Sequence, residues 1–259
     1  MRFLLSLGQM AILTGQTEAN YERLCALTRE AARRGSALVL FPELWYSGYD
    51  LDNGRHYAAR RGEGIFARLS QLAQECHLAV GGSLLEETNE GIANTLVLFD
   101  ANGECCAAYR KTHLFPWLAE TRHLTPGERL ESVAAPWGIT GLALCYDLRF
   151  PEVFRHYALK GARLVLLAAQ WPASRRHHWQ TLVKARAIEN QFFVAACNGV
   201  GNGPAGPLGG ASAIITPWGD TLVEGDDSEN LLTAEIDDSL IEVARRCLPT
   251  LSQRRPEIY

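Results

Sequence analysis

Three residues at the ends of apolar runs have side chains that could share one reaction. Cys145 lies in "GLALCYDLRFPE", where an apolar run breaks into Tyr146, Asp147 and Arg149. Glu43 leaves "ALVLF" through Pro42, and Lys111 closes "CCAAYRK". A thiol near neutral pH is mostly protonated and needs a base before it can attack. A carboxylate such as Glu43 can take that proton. An ammonium such as Lys111 lowers a thiol pKa and stabilises an oxyanion. Attack on an amide carbon would give a tetrahedral adduct, then ammonia and a thioester. The same carboxyl group can protonate the departing ammonia and then activate the water that cleaves the thioester. Taken singly, each residue has a plainer reading. A free cysteine is usually a small buried hydrophobe, and a lone Glu or Lys is usually solvated. Ligands of parallel-type sheets gather at the carboxyl ends of strands, and all three residues fall at such ends.

The surrounding pattern supplies those strands. "FLLSLGQMAI" reads as a first strand and "TEANYERLCALTREAARRG" as a helix with Tyr21, Leu24, Cys25, Thr28 and Ala31 on one face. "SALVLFPE" and "LAVGGSLLE" read as strands on either side of the helix "GIFARLSQLAQECH". "ANTLVLFDANGECCAAYRK" is a hairpin turning at Asn102-Gly103. Residues 112–137 form a Pro/Gly-bearing loop, longer than ordinary connections and therefore a candidate functional segment. "GITGLALCY" is a strand, and Pro151 opens the helix that follows. "RLVLLAA" and "FFVAACN" are strands around the helix "SRRHHWQTLVKARAIENQ". A Gly/Pro-rich loop, a second hairpin at Pro217-Trp218-Gly219-Asp220, a strand "LLTAEID" and a helix from about Asp238 complete the chain. Strands and helices alternate without a linker. The economical reading is one α/β domain over 1–259, with an extended tail at about 248–259.

Composition narrows the partners. The 259 residues are 47% hydrophobic and 21% charged, with a net charge of -4 spread without long runs. No basic face for nucleic acid and no polybasic membrane patch is evident. The opening "MRFLLSLGQMAIL" runs into an acidic helix pattern with no A-x-A-like cleavage site, so it reads as structure rather than a leader. Seven cysteines, odd in number and scattered, point to free thiols in a reducing, cytoplasmic setting rather than a disulfide framework. Small molecules and further copies of the chain are the expected partners.

At "FPELWYSGYDL", "YRKTHLF" and "CYDLRFPE" the sequence resembles the nitrilase superfamily of carbon–nitrogen hydrolases. Each segment carries one member of that family's Glu-Lys-Cys triad: Glu43, Lys111 and Cys145. "WPASRRHHWQTLVKARAIENQFFVAACN" and "TPWGD" extend the resemblance over nearly the whole chain. It implies a four-layer αββα sandwich, pairing as a homodimer or higher homo-oligomer through helices, and a second catalytic-site glutamate at Glu120. It also implies no cofactor and no metal. The oxyanion donors would be the Lys111 ammonium and the backbone N–H of Tyr146. "PELWYSGYDL", "WPASRRHHW" and the terminal "PEIY" are most similar to the ω-amidase subgroup, which takes the terminal amide from short dicarboxylate monoamides such as 2-oxoglutaramate. A carbamoylase or a nitrilase on the same triad is the alternative. At "GPLGGASAII" the chain has Ala211 where relatives often carry His or Asp, which bears on the polar network of that loop.

The remaining candidates are weighed on their own residues. An ω-amidase must hold the carboxylate at the far end of its substrate, and a buried carboxylate needs a cation or several N–H donors. Arg175 follows the strand "RLVLLAA" and opens the next helix, at the same sheet edge as Cys145. Trp171, four residues earlier, reads either as pocket wall or as core. His177 and His178 are neighbours on a helix and point apart, so they are not a metal pair. "GNGPAGPLGG" lacks a P-loop pattern, and no G-x-S-x-G turn is present.

Overall fold

A computed structural model describes residues 1–258; Tyr259, the last residue of the "PEIY" segment, lies outside the described residues. The first sheet is built from β1 (Arg2–Gln9), β2 (Ser36–Leu40), β3 (Ala79–Thr88), β4 (Gly91–Phe99) and β5 (Cys105–Arg110). The second contains β6 (Ser132–Ala135), β7 (Gly138–Leu144), β8 (Leu164–Ala169), β9 (Phe193–Asn198), β10 (Ala213–Ile215) and β11 (Thr221–Glu224). The last strand, β12 (Asn230–Asp237), returns to pair with β1. The spatial orders are β12-β1-β2-β3-β4-β5 and β6-β7-β8-β9-β10-β11. Read from the first-named edge, both sheets carry one antiparallel, two parallel and two antiparallel pairings. The chain thus winds one arrangement twice.

Alternation along the strands makes the layers. In β2, Leu38 and Leu40 enter the core between the sheets, whereas Val39 and the following Phe41 face outward. The outward residues pack on Leu24 and Ala31 of α1 (Thr17–Arg33) and on Phe66 and Leu69 of α2 (Gly64–Cys76). In β8, Leu164, Leu166 and Ala168 point inward. Val165 and Leu167 point to Phe154 and Tyr157 of α3 (Pro151–Leu159) and to Trp179 and Val183 of α4 (Arg176–Asn190). Both faces of each central strand are buried, which is why these strands read as unbroken apolar runs. The result is the expected αββα sandwich. A further helix, α5 (Ser239–Cys247), follows β12. Among the described residues no helix is long and apolar enough to cross a membrane.

Three local expectations need correction. The loop at 112–137 contains a 3-10 turn at Pro116–Leu118, a helical turn at Glu120–His123 and the edge strand β6. β6 has only four residues, too few to show a period, and pairs with β7 through the Pro136-Trp137 turn. The strand expected to run through Tyr146 stops at Leu144, because Cys145 has φ +40°. The tail from 248, expected to be extended, is a succession of turns; Gln191 Nε2 donates to the Leu248 carbonyl at 2.7 Å, and Leu251 packs against the α3/α4 layer.

Candidate active site

Glu43 is held where the two sheets meet. Its N–H donates to the Ala169 carbonyl (3.4 Å) and its carbonyl accepts from Gln170 Nε2 (2.8 Å), so β2 is tied to the end of β8. The side chain is fully buried. A buried carboxylate must be matched by donors, and Glu43 has three. Oε1 accepts from Lys111 Nζ and from Asn94 Nδ2, each at 2.8 Å; Oε2 accepts from the Gln170 N–H at 3.1 Å. Ser83 fixes the Asn94 amide, because its hydroxyl accepts from the Leu44 N–H and donates to Asn94 Oδ1, both at 2.8 Å. Two donors occupy Oε1, so the free lone pair lies on Oε2.

Lys111 follows β5 directly. β5 is antiparallel to β4, which is antiparallel to β3, so β5 runs the same way as β2 and its end lies at the same edge. The ammonium is fully buried between two carboxylates, Glu43 Oε1 and Glu120 Oε1, at 2.8 Å each. Burial presses Lys111 toward neutrality, but the charges of Glu43 and then Glu120 prevail and hold its pKa above the ordinary lysine range. An ammonium has three protons. Two are used by the carboxylates, and one remains for a substrate oxygen. Glu120 is itself fastened by the Tyr49 hydroxyl and the Phe115 N–H, both at 2.8 Å. Its position depends on Ala119, a left-handed residue (φ +59°) that turns the chain into the Glu120–His123 helical turn.

The Lys111 carbonyl accepts from the Gly127 N–H at 2.9 Å. A Cβ on Gly127 would fall far inside van der Waals contact with the Arg110 carbonyl oxygen. Gly127→Ala should therefore push β5 and Lys111 aside. The expected result is a loss of about 1–3 kcal/mol, read as a lowered urea midpoint, with activity falling in the fraction that stays folded.

Cys145 begins a 3-10 turn, Cys145–Arg149, between β7 and α3. Its left-handed backbone is uncommon outside glycine and turns the residue off the strand. The pKa of the thiol is well above the ordinary thiol value. Burial is the main cause, the Glu43 charge adds to it, and Lys111 opposes both. The resting sulfur is therefore neutral and needs its neighbouring base. Proton transfer from Cys145 to Glu43 would move a negative charge within the cluster and create none, which limits its cost beside buried charges.

The chain matches the family model for carbon-nitrogen hydrolase over residues 4–246. It belongs to the carbon–nitrogen hydrolase family. It is 36% identical over 266 residues to a 2-oxoglutaramate amidase of Bacillus subtilis, covering 100% of both chains. A carbon–nitrogen hydrolase superfamily protein of Xanthomonas campestris, solved with an arsenic adduct in its active site, superposes with TM-score 0.92 at 29% identity over 98% of each chain. A Glu-to-Leu variant of an amidase from Nesterenkonia sp. AN1 superposes with TM-score 0.88 at 26% identity, over 99% of this chain and 95% of that one. That structure shows the acetamide moiety of fluoroacetamide added covalently to the active-site cysteine.

The pocket of this carbon–nitrogen hydrolase is about 490 Å³ including its open mouth, and Cys145 is in its wall. Tyr146, Trp171 and Arg175 all line it, as do Tyr49, Phe115 and Gln170. Trp171 is core and wall together: its N–H donates to Asn198 Oδ1 (2.7 Å) and its indole Nε1 to the Arg175 carbonyl (2.9 Å). Arg149 also lines the pocket, with its guanidinium 4.7 Å from the Trp171 ring centroid. Its position four residues past Cys145, on the same turn, was the signal that could have found it. Among the described residues neither Arg149 nor Arg175 has a carboxylate partner. Nothing in the local sequence of Asn94, Ser83 and Tyr49 marks them, because these polar residues meet the site only in space. Ala211 lies outside this pocket, buried against Trp179, whose Nε1 donates to the Ala211 carbonyl at 2.8 Å. Ala211 therefore takes no part in the pocket lining. His177 and His178 are exposed, and among the described residues no cluster of three His, Cys, Asp or Glu could hold a metal.

Proposed function

We propose that this enzyme hydrolyses the terminal amide of small carboxylate-bearing substrates of the 2-oxoglutaramate type. Cys145 is the nucleophile, Glu43 the general base and acid, and Lys111 with the Tyr146 N–H the oxyanion donors. Glu120 holds Lys111 in place. The thiol gives its proton to Glu43 as sulfur adds to the amide carbon, and the carbonyl oxygen takes the negative charge toward Lys111. Protonated Glu43 passes that proton to the nitrogen, the C–N bond breaks, and ammonia leaves a thioester. Water then gives a proton to Glu43 and its oxygen adds to the thioester. Collapse of that adduct breaks the C–S bond, and Glu43 returns the proton to sulfur.

The observation that supports this reading best is the Glu43 carboxylate, fully buried with the Lys111 ammonium at 2.8 Å, beside a thiol in the pocket wall whose pKa burial and the Glu43 charge hold up. The adduct on the active-site cysteine of the Nesterenkonia amidase supports the nucleophile. The relative named 2-oxoglutaramate amidase supports the substrate class, as do two arginines at the pocket that have no carboxylate partner among the described residues. The test is an ammonia-release screen over 2-oxoglutaramate, succinamate, glutaramate, neutral amides, N-carbamoyl amino acids and nitriles. Carbon dioxide release from the carbamoyl compounds, or activity confined to nitriles, would replace this reading.

Arg175 is the proposed carboxylate anchor. Arg175→Ala should raise KM for dicarboxylate monoamides about 10- to 100-fold, as expected for a lost charged hydrogen bond of about 1.5–3 kcal/mol, and spare neutral amides. Equal losses on both would make Arg175 structural. We further infer one hydrolase domain over the whole chain, a cytoplasmic location and a homodimer. The seven cysteines, each free among the described residues, support the location. Ile188 of α4, 51% exposed, and nearby Trp218, 40% exposed, support a helix-side contact. Sedimentation of the wild type against Ile188→Glu tests the dimer.

A further inference from the structure

Asp147, two residues past Cys145, is fully buried but takes no direct part in the reaction above. Its carboxylate only accepts. Oδ2 takes the Leu144 N–H (2.9 Å) and the Tyr109 hydroxyl (2.7 Å). Oδ1 takes His113 Nδ1 (2.7 Å), and the His113 N–H lies at 3.3 Å. An acceptor at 2.7 Å requires the His113 proton to sit on Nδ1. The single Tyr109 proton goes to Asp147, so the 2.8 Å contact between Tyr109 and Thr112 has Thr112 as donor. Thr112 Oγ1 itself is 3.3 Å from Oδ1.

These partners lie on two separate pieces of chain. Leu144 immediately precedes Cys145. Tyr109, Thr112 and His113 flank Lys111 in β5 and at its exit. His113 also stacks on Phe150, which ends the Cys145–Arg149 turn, with ring centroids 3.7 Å apart and planes at 11°. The turn is therefore gripped at Asp147 and at Phe150 by the segment that carries the lysine. A capping role alone would need only the bond to Leu144 N–H. The cross-sheet bonds need another reason, and the strained φ at Cys145 needs something to hold it.

We propose that Asp147 is a positioning residue that fixes the Cys145 sulfur relative to Lys111, acting through Leu144 on one side and through Tyr109 and His113 on the other. This rests on the reading of Cys145 as the nucleophile. The test uses Asp147→Asn and Asp147→Glu in the full-length protein. Iodoacetamide labelling of Cys145, followed by mass spectrometry, counts competent sites and gives the rate at which the thiol reacts. Misplacement of about 1 Å costs on the order of 10²-fold in rate. In Asp147→Asn, kcat per labelled site should fall by that order, labelling should slow, and KM should change less than about threefold. Asp147→Glu keeps the charge, loses the geometry, and should fall comparably. His113→Phe keeps the stack on Phe150 and removes the Nδ1 bond; it should lower kcat about tenfold even if Asp147→Asn does not fold. Wild-type kcat per labelled site in Asp147→Asn or in His113→Phe overturns the proposal. So does a loss of activity that merely matches the loss of labelled sites. A wild-type Cys145 that resists labelling while turnover continues instead sinks the nucleophile reading, and this proposal with it.

Discussion

Cys145→Ala protein should release ammonia at a rate on the order of 10⁶ below the wild type, the scale seen when a hydrolase nucleophile is removed. The fold should survive. The thiol is neutral in the resting enzyme, so its removal leaves the charges of the Glu43–Lys111–Glu120 cluster as they were. Calorimetry should accordingly find little change in Tm. Cys145→Ser should stay inactive, because a hydroxyl is much harder to deprotonate than a thiol beside the same carboxylate. The wild-type thiol has its own signature. Burial and then the Glu43 charge hold its pKa up, so iodoacetamide labelling of Cys145 should lack the inflection near pH 8.5 of an ordinary thiol. Turnover in Cys145→Ala protein equal to the wild type would end the mechanism.

Much of this site is legible because its main residues sit at ends of apolar runs. "ALVLF" and "GLALC" are unbroken because both faces of β2 and β7 are buried, and the first charged or thiol residue after each run falls at the sheet edge. The turn pairs Asn102-Gly103 and Pro217–Asp220 likewise mark both hairpins by local chemistry alone. What the sequence hides is partnership across distance. Asn94 reads as one polar residue in a β-strand, yet it reaches Glu43, 51 positions away. Asp147 reads as an ordinary turn residue, although its acceptors' partners include Tyr109, 38 positions earlier. Glu120 came from the family resemblance. Its segment has no period, and its placement depends on a left-handed Ala119 that no propensity favours. Arg149, a cation beside "DL" and "FP", has no local mark that sets it apart from a solvated turn residue until the pocket is formed. Short β6 and the turns of the tail are hidden in the sequence for a related reason. Few residues carry few signals, and their conformation is set by neighbours such as β7 and Gln191.

Glu43→Gln should separate the two tasks of that carboxylate. Glutamine can keep its oxygen toward Lys111 and Asn94, but its amide nitrogen must then face the Gln170 N–H, where Oε2 accepted at 3.1 Å. One hydrogen bond is lost and the fold is retained. The base and the acid are gone, so turnover should fall about 10²–10⁴-fold. The thiol moves the other way. The Glu43 charge raises its pKa and the Lys111 charge lowers it, so removing the first lets the second act, and the labelling curve of Cys145 should shift to lower pH. Falling turnover with a more reactive sulfur is a pairing that simple misfolding does not produce. Lys111→Met is a poorer probe of the same cluster. It leaves Glu43 and Glu120 buried together without a cation, and breaking a buried pair in this way costs about 3–5 kcal/mol. Its inactivity would report lost structure as readily as a lost oxyanion donor. Glu43→Gln protein with near-wild-type turnover, or with a Cys145 labelling curve that does not move, would remove Glu43 from the role of base.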